Sequence, residues 1–222
     1  MKKIKQSTFQ AIPRQSDRIN KSRQSKPIEV KCYGLKIIAN SGVYQTGGDS
    51  ELMIDSVKIM KTESFLEIGC GTGAISIALA KKAKEGIAVD INSLAIKNSK
   101  DNARKYKVDN VKFFKSDVFE KVKGRFDIIV CNPPYTKHEI KDDVDRMFWD
   151  PGDEMKIKFF KEAKNYLKPK GRIYFGWANF VDLDINLPFE LSKINGYKLL
   201  KLYSKPSSFE NFTFYVFEFE HI

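Results

Sequence analysis

Cysteine is scarce in this chain, with Cys32, Cys70 and Cys131 in 222 residues. Three well-separated thiols fit neither a disulfide framework nor a zinc spacing, so a reducing, cytoplasmic compartment is expected. Long apolar runs are also missing. None reaches the ~18 residues that a membrane helix needs, and no membrane partner is expected. The first residues hold no apolar segment of the kind a secretory leader carries. Acids are almost absent from residues 1–27, where eight Lys or Arg face only Asp17 for a net +7. The whole chain carries +11, so the other 195 residues carry +4, from 31 basic and 27 acidic side chains. What is present is a globular composition: 42% hydrophobic and 13% aromatic, enough for one sizeable core. No internal repeat is visible.

Residues 1–27 show few apolar positions and no helical period, and read as a flexible basic arm. Three readings stand for it: a strand of charge against RNA phosphates, a mitochondrial transit segment, or a solvated tail without a partner. Residues 28–222 read as a single domain. Its first part, 28–48, alternates apolar and polar around Tyr33-Gly34, which predicts a hairpin and then a glycine-bearing loop. Asp49 or Ser50 is placed to cap a helix with Met53, Val57 and Met60 at helical spacing, the methionines facing a core.

The densest information lies in residues 65–90. An apolar run ends in Glu67-Ile-Gly-Cys-Gly-Thr-Gly73, a helix-like stretch follows, and a second apolar run ends in Asp90. This predicts a strand, a glycine turn, a helix and a strand, one βαβ unit of a parallel sheet. The alternation continues with a helix over 92–106, strands over 111–114 and 126–130, a polar loop over 136–152, a helix over 155–167 and a strand over 173–177. A helix near 189–194 and strands near 197–203 and 212–219 close the chain. The order predicts an α/β fold: a Rossmann-like, doubly wound, seven-stranded, mostly parallel sheet with an N-terminal hairpin extension. Ligands of such sheets bind beyond the carboxyl ends of the strands. Four successive strand ends here carry the glycine motif, Asp90, Asp117 and Asn132-Pro-Pro-Tyr135. The glycine spacing is Gly-x-Gly-x-Gly, not the Gly-x-Gly-x-x-Gly of nicotinamide enzymes.

Glu67-Ile-Gly-Cys-Gly-Thr-Gly73 resembles the first motif of class I S-adenosylmethionine-dependent methyltransferases. Asn132-Pro-Pro-Tyr135 resembles the fourth motif of the branch that methylates planar nitrogens, and Asn102-Ala103 also fits. The likeness covers roughly residues 41–178. Gly42-Val-Tyr-Gln-Thr-Gly-Gly-Asp-Ser50 looks like the loop before the first motif in HemK-type glutamine methyltransferases. Thr46 stands where that loop usually has proline, and Gly48 where it often has glutamate. The resemblance implies S-adenosylmethionine as cofactor. Its methionine end would lie on Glu67, Gly69, Cys70, Gly71 and Gly73, its ribose on Asp90 beside Ile91, and its adenine on Asp117 beside Val118. Asn132, which would also touch the cofactor, would hold the acceptor together with Pro133 and Tyr135.

The chemistry can be argued from the residues. An amide or nucleobase nitrogen delocalises its lone pair and is a poor nucleophile. Acceptors that bind its hydrogens localise the pair as positive charge grows on nitrogen. The Asn132 side-chain oxygen and the Pro133 carbonyl are such acceptors, held extended because each precedes a proline. Tyr135 can stack on the flat target. Neither a metal nor a covalent nucleophile is needed. Cys131 reads as a small core residue. His138 reads as a substrate contact or a solvated loop residue. Phe148 and Trp149 either stack a base or cap the pocket, and their place after the motif favours the substrate role. The expected acceptor is a nucleobase of RNA or DNA, with a ribosomal target favoured by the arm's charge. A protein glutamine comes second and a small amine third. A non-catalytic RNA-binding protein on the same fold is the alternative class.

Overall fold

The structure, a computed structural model, describes residues 4–208 and 210–222. Two strands, β1 (Ile28–Cys32) and β2 (Leu35–Ala39), form the expected antiparallel hairpin, with Cys32 opposite Leu35. Tyr33 and Gly34 make the two-residue turn, both at positive φ (50° and 73°). Seven strands form the main sheet: β3 (Ser64–Ile68), β4 (Glu85–Asp90), β5 (Val111–Lys115), β6 (Phe126–Cys131), β7 (Leu167–Ala178), β8 (Tyr197–Pro206) and β9 (Thr213–His221). Their order is β5-β4-β3-β6-β7-β9-β8, parallel throughout except for β9, which runs antiparallel to β7 and β8.

The central strands are buried on both faces, which is why they read as unbroken apolar runs. In β6, Ile129 and Cys131 point into one core, with Phe159, Phe160, Phe175 and Phe219. Ile128 and Val130 point into the other, with Met53, Ile75, Leu79 and Tyr174. Period-two alternation thus sorts neighbouring residues onto opposite faces. Helices α2 (Gly48–Ser56), α3 (Ala74–Ala80) and α4 (Ser93–Lys105) supply the second core. Helices α5 (Glu154–Glu162) and α6 (Leu187–Ile194) pack on the first. The hairpin is fastened to α4 by side-chain amides. Asn102 accepts from Ile38 N–H (3.0 Å) and donates to the carbonyls of Ile38 and Thr72. It therefore ties the hairpin to the glycine loop.

Three expectations need correction. Residues 11–24, read as part of an arm without helical period, form a helix, the N-terminal helix α1 (Ala11–Gln24). Its inner face is Ala11, Gln15, Ile19 and Ser22. Spaced by four, four and three, these lie on one stripe, but two are polar, so the apolar period is faint. Pro13 falls in the first turn, where its missing N–H has no helical partner to lose. Residues 1–3 of the expected arm lie outside the described residues. Second, α2 stops at Ser56, leaving Met53 buried but Met60 62% exposed. Third, the helix expected over 155–167 ends at Glu162, and a 3-10 turn leads into a strand that starts at Leu167. Among the described residues, no helix is long and apolar enough to cross a membrane.

Candidate active site

A cavity of about 650 Å³ lies beyond the carboxyl ends of β3, β4, β5 and β6. From β3 it takes Glu67, Gly69, Cys70 and Gly71, and from β4 Asp90 and Ile91. Asp117 and Val118 follow β5, and Asn132, Pro133 and Tyr135 follow β6. The topology has brought together nearly every residue that the motifs singled out. Gly73 is the exception. It caps α3 behind the lining at φ 81°, and a Cβ there would stand 2.9 Å from the Ser99 Cβ of α4, so its place is one of helix packing.

The acids differ in environment. Glu67 is 1% exposed and accepts a hydrogen bond from the Ser76 hydroxyl. Burial pushes its carboxyl up to about 8, against the Ser76 bonds and with help from the charge of Asp90. Asp90 accepts from the backbone N–H groups of Gly71 and Asn92, each at 2.9 Å, and so folds the glycine loop onto the end of β4. Burial raises its carboxyl above the ordinary range, these bonds opposing the rise. Asp117 is half-exposed and pairs with the Lys158 ammonium at 3.0 Å. Gly69 has φ 78°, and a Cβ built on it would meet no atom within 4 Å. Its backbone therefore faces open space that a ligand can enter.

At the end of β6 the Asn132 amide is held on both sides. Its Nδ2 donates to Asp49 Oδ2 (2.8 Å), and its Oδ1 accepts from the Tyr135 hydroxyl (2.6 Å). On the next strand Gly176 leaves it room, since a Cβ there would lie 2.4 Å from Asn132 Oδ1. The Tyr135 ring is packed near Trp177 and Phe180. Behind the turn, the fully buried Lys156 ammonium donates to the Pro134 carbonyl (3.1 Å) and pairs with Asp150 (2.9 Å). The loop before the glycine motif folds onto it, with Thr46 and Thr72 hydroxyls 2.6 Å apart.

Several of these residues were not legible as site residues. Asp49, read as a helix cap, caps nothing. Gly47 holds the cap position, and the Asp49 carboxylate turns to Tyr44 and Asn132 instead. Gly176 and Lys156 gave no local signal, because their partners are distant in sequence. Phe148 lines the cavity, with the Arg18 guanidinium 4.7 Å above its ring. Trp149 does not line it. Its indole N–H donates to Gln15 (3.0 Å), and with Ile19 it anchors the N-terminal helix. His138 stacks on Trp149 at 4.3 Å, away from the cavity lining.

The N-terminal helix forms one wall of the cavity through Arg14, Gln15 and Arg18, opposite Lys205, Phe212 and Phe214 of the β8–β9 end. Arg14 reaches across to Glu210 at 2.6 Å, and Arg23 pairs with Asp142 and the buried Asp145. Part of the arm's charge is thus neutralised within the fold.

Residues 34–198 match the methyltransferase small domain family. A Methanocaldococcus jannaschii protein, named provisionally as a protein N5-glutamine methyltransferase, is 40% identical over 149 residues, 64% of this chain and 75% of that one. The release factor glutamine methyltransferase of Fusobacterium nucleatum is 30% identical over 211 residues, 82% of this chain and 57% of that one. Among solved structures, M. jannaschii TYW2 in complex with AdoMet superposes with a TM-score of 0.61 at 18% identity, over 90% of this chain and 88% of that one. The matched family residues and the relatives together place this chain in the methyltransferase small domain family.

Proposed function

We propose that the chain methylates the side-chain amide nitrogen of a glutamine in a protein substrate. The observation that carries this is the Asn132 amide, clamped between Asp49 and Tyr135 at the rim of the cavity that also holds Glu67 and Asp90. The names of the two relatives support glutamine over a nucleobase, which reverses the order drawn from charge alone.

The residues present fit the cofactor. Gly69 opens a cradle with no side chain, and the cavity is of ordinary small-molecule size. Glu67, buried without a cationic partner among the described residues, would take the ammonium of the methionine end. Asp90 would hold the ribose hydroxyls beside Ile91, and the Asp117–Val118 turn would receive the adenine. Cys70 and Gly71 would contribute backbone. When bound, the cofactor supplies an electrophilic methyl group.

The chain's own residues prepare the acceptor. Asn132 Oδ1 and the Pro133 carbonyl accept the two amide hydrogens and draw the lone pair onto nitrogen. Prolines 133 and 134 fix the backbone of both acceptors in advance. Tyr135 walls the cavity where the flat amide would lie. The nitrogen would take the methyl group in line as the bond from that methyl to sulfur breaks, and the proton it then loses would pass to solvent.

The test is transfer of labelled methyl groups into cell extract, followed by digestion. Label that survives nuclease, is released by protease and runs as N5-methylglutamine is the expected result. Nuclease-sensitive label would establish the nucleobase reading instead. Asn132→Ala should lower kcat by about 10²–10³-fold, the usual cost of one oriented polar group.

A further inference from the structure

Asp49 sits at the second residue of α2, 5% exposed, far in sequence from every motif at the strand ends. Its Oδ2 accepts two hydrogen bonds, from the Tyr44 hydroxyl (2.8 Å) and from Asn132 Nδ2 (2.8 Å). Its Oδ1 is sealed from solvent and accepts none among the described residues. No Lys or Arg is ion-paired with it in that set. A carboxylate buried against a phenol and an amide, with one oxygen unused, is costly to keep. Packing does not require it, since a neutral residue of the same shape would fill the space.

An asparagine amide has nearly the same shape after a half-turn about its last bond, so packing alone does not distinguish its oxygen from its nitrogen. Chemistry does. An ionised carboxylate only accepts, so Nδ2 must face Asp49 and Oδ1 must face the other way, toward Tyr135. In the opposite rotamer Asn132 would turn Oδ1 against the carboxylate and Nδ2 toward the acceptor site. There it would meet amide hydrogens donor to donor.

The geometry points to Asp49 as the positioning residue that selects the working rotamer of Asn132, with Tyr44 orienting the carboxylate. This rests on the glutamine-amide reading, in which Oδ1 must accept from the target nitrogen. Substitution by asparagine is the informative change, because the new side chain can donate or accept and both rotamers of Asn132 become allowed.

The test compares Asp49→Asn, Asn132→Ala and the double variant in one methyl-transfer assay, with cofactor affinity measured by calorimetry. Asp49→Asn should lower kcat by about 10–100-fold, with cofactor Kd changed less than about three-fold and Tm not reduced. Added to Asn132→Ala, it should cost less than about two-fold more, because it acts through the missing side chain. The Asn132 side-chain NH2 signals in nitrogen-15 spectra, identified by their loss in Asn132→Ala, should shift in Asp49→Asn. A wild-type kcat in Asp49→Asn, or equal losses in both backgrounds, overturns the proposal and leaves the amide reading standing. Full activity of Asn132→Ala overturns both. If Asp49→Asn fails to fold, Asp49→Ala reads the same cycle.

Discussion

Glu67 combines full burial with the lack of a cationic partner among the described residues, so it would give up a proton when a cation arrives. Its carboxyl is raised from 4.5 to about 8, chiefly by burial. At neutral pH it is therefore mostly protonated in the free protein. The linkage follows from the sign: the stability it contributes is fully present below 4.5 and is lost as pH rises through about 8. A bound ammonium favours the charged form and lowers this pKa. Cofactor binding near neutrality should thus release close to one proton, read as a dependence of the calorimetric enthalpy on the ionisation enthalpy of the buffer. Glu67→Gln should abolish the dependence, and wild-type binding that is independent of buffer would remove Glu67 from the ammonium site. Glu67 could be found from sequence because the acid and glycines are contiguous. Asp49 could not be placed. An acid before a helical stretch looks the same whether it caps that helix or reaches a side chain 83 residues away.

At the level of elements, the parallel strands were readable because burial on both faces leaves apolar runs, and those of β3, β4 and β6 run into polar motifs. The N-terminal helix was not, because half of its buried face is glutamine and serine, whose partners lie elsewhere in the chain. The docking of its C-terminal half centres on a small cluster, Ile19 against Phe148 and Trp149, with the Gln15–Trp149 bond and the Arg23 pairs. A contact so localised should open independently of the sheet. Ile19→Ala should cost the docked helix about 2–5 kcal/mol. Hydrogen exchange is the measurement: amides of residues 15–24 should lose protection while those of β3 and β6 keep theirs. Because Arg14 and Arg18 wall the cavity, KM for the methyl acceptor should rise in the same variant. Uniform loss of protection across helix and sheet would show instead that the helix folds as one unit with the core.

For the molecule as a whole, the charge of +11 acts at long range, and its layout differs from what the linear sequence implied. The first 27 residues hold most of the excess, yet Arg14, Lys21 and Arg23 are paired with Glu210, Asp17 and the Asp142–Asp145 pair. A one-dimensional count cannot see these pairings, because three of the four acids come from residues over 100 positions away. What remains is a diffuse positive field, with exposed Lys5 and Lys26 among its sources. Such a field speeds encounter with an anionic partner and is screened by salt, while short-range contacts inside the cavity are screened much less. Methyl transfer to the macromolecular substrate should therefore lose kcat/KM by roughly ten-fold between about 0.05 and 0.3 M salt, with kcat nearly constant. Lys5→Gln with Lys26→Gln should flatten that slope and leave Tm unchanged, since neither side chain has an ion-pair partner among the described residues. A kcat/KM that does not vary with salt would mean that recognition is confined to the cavity, and that the basic excess serves no part of substrate capture.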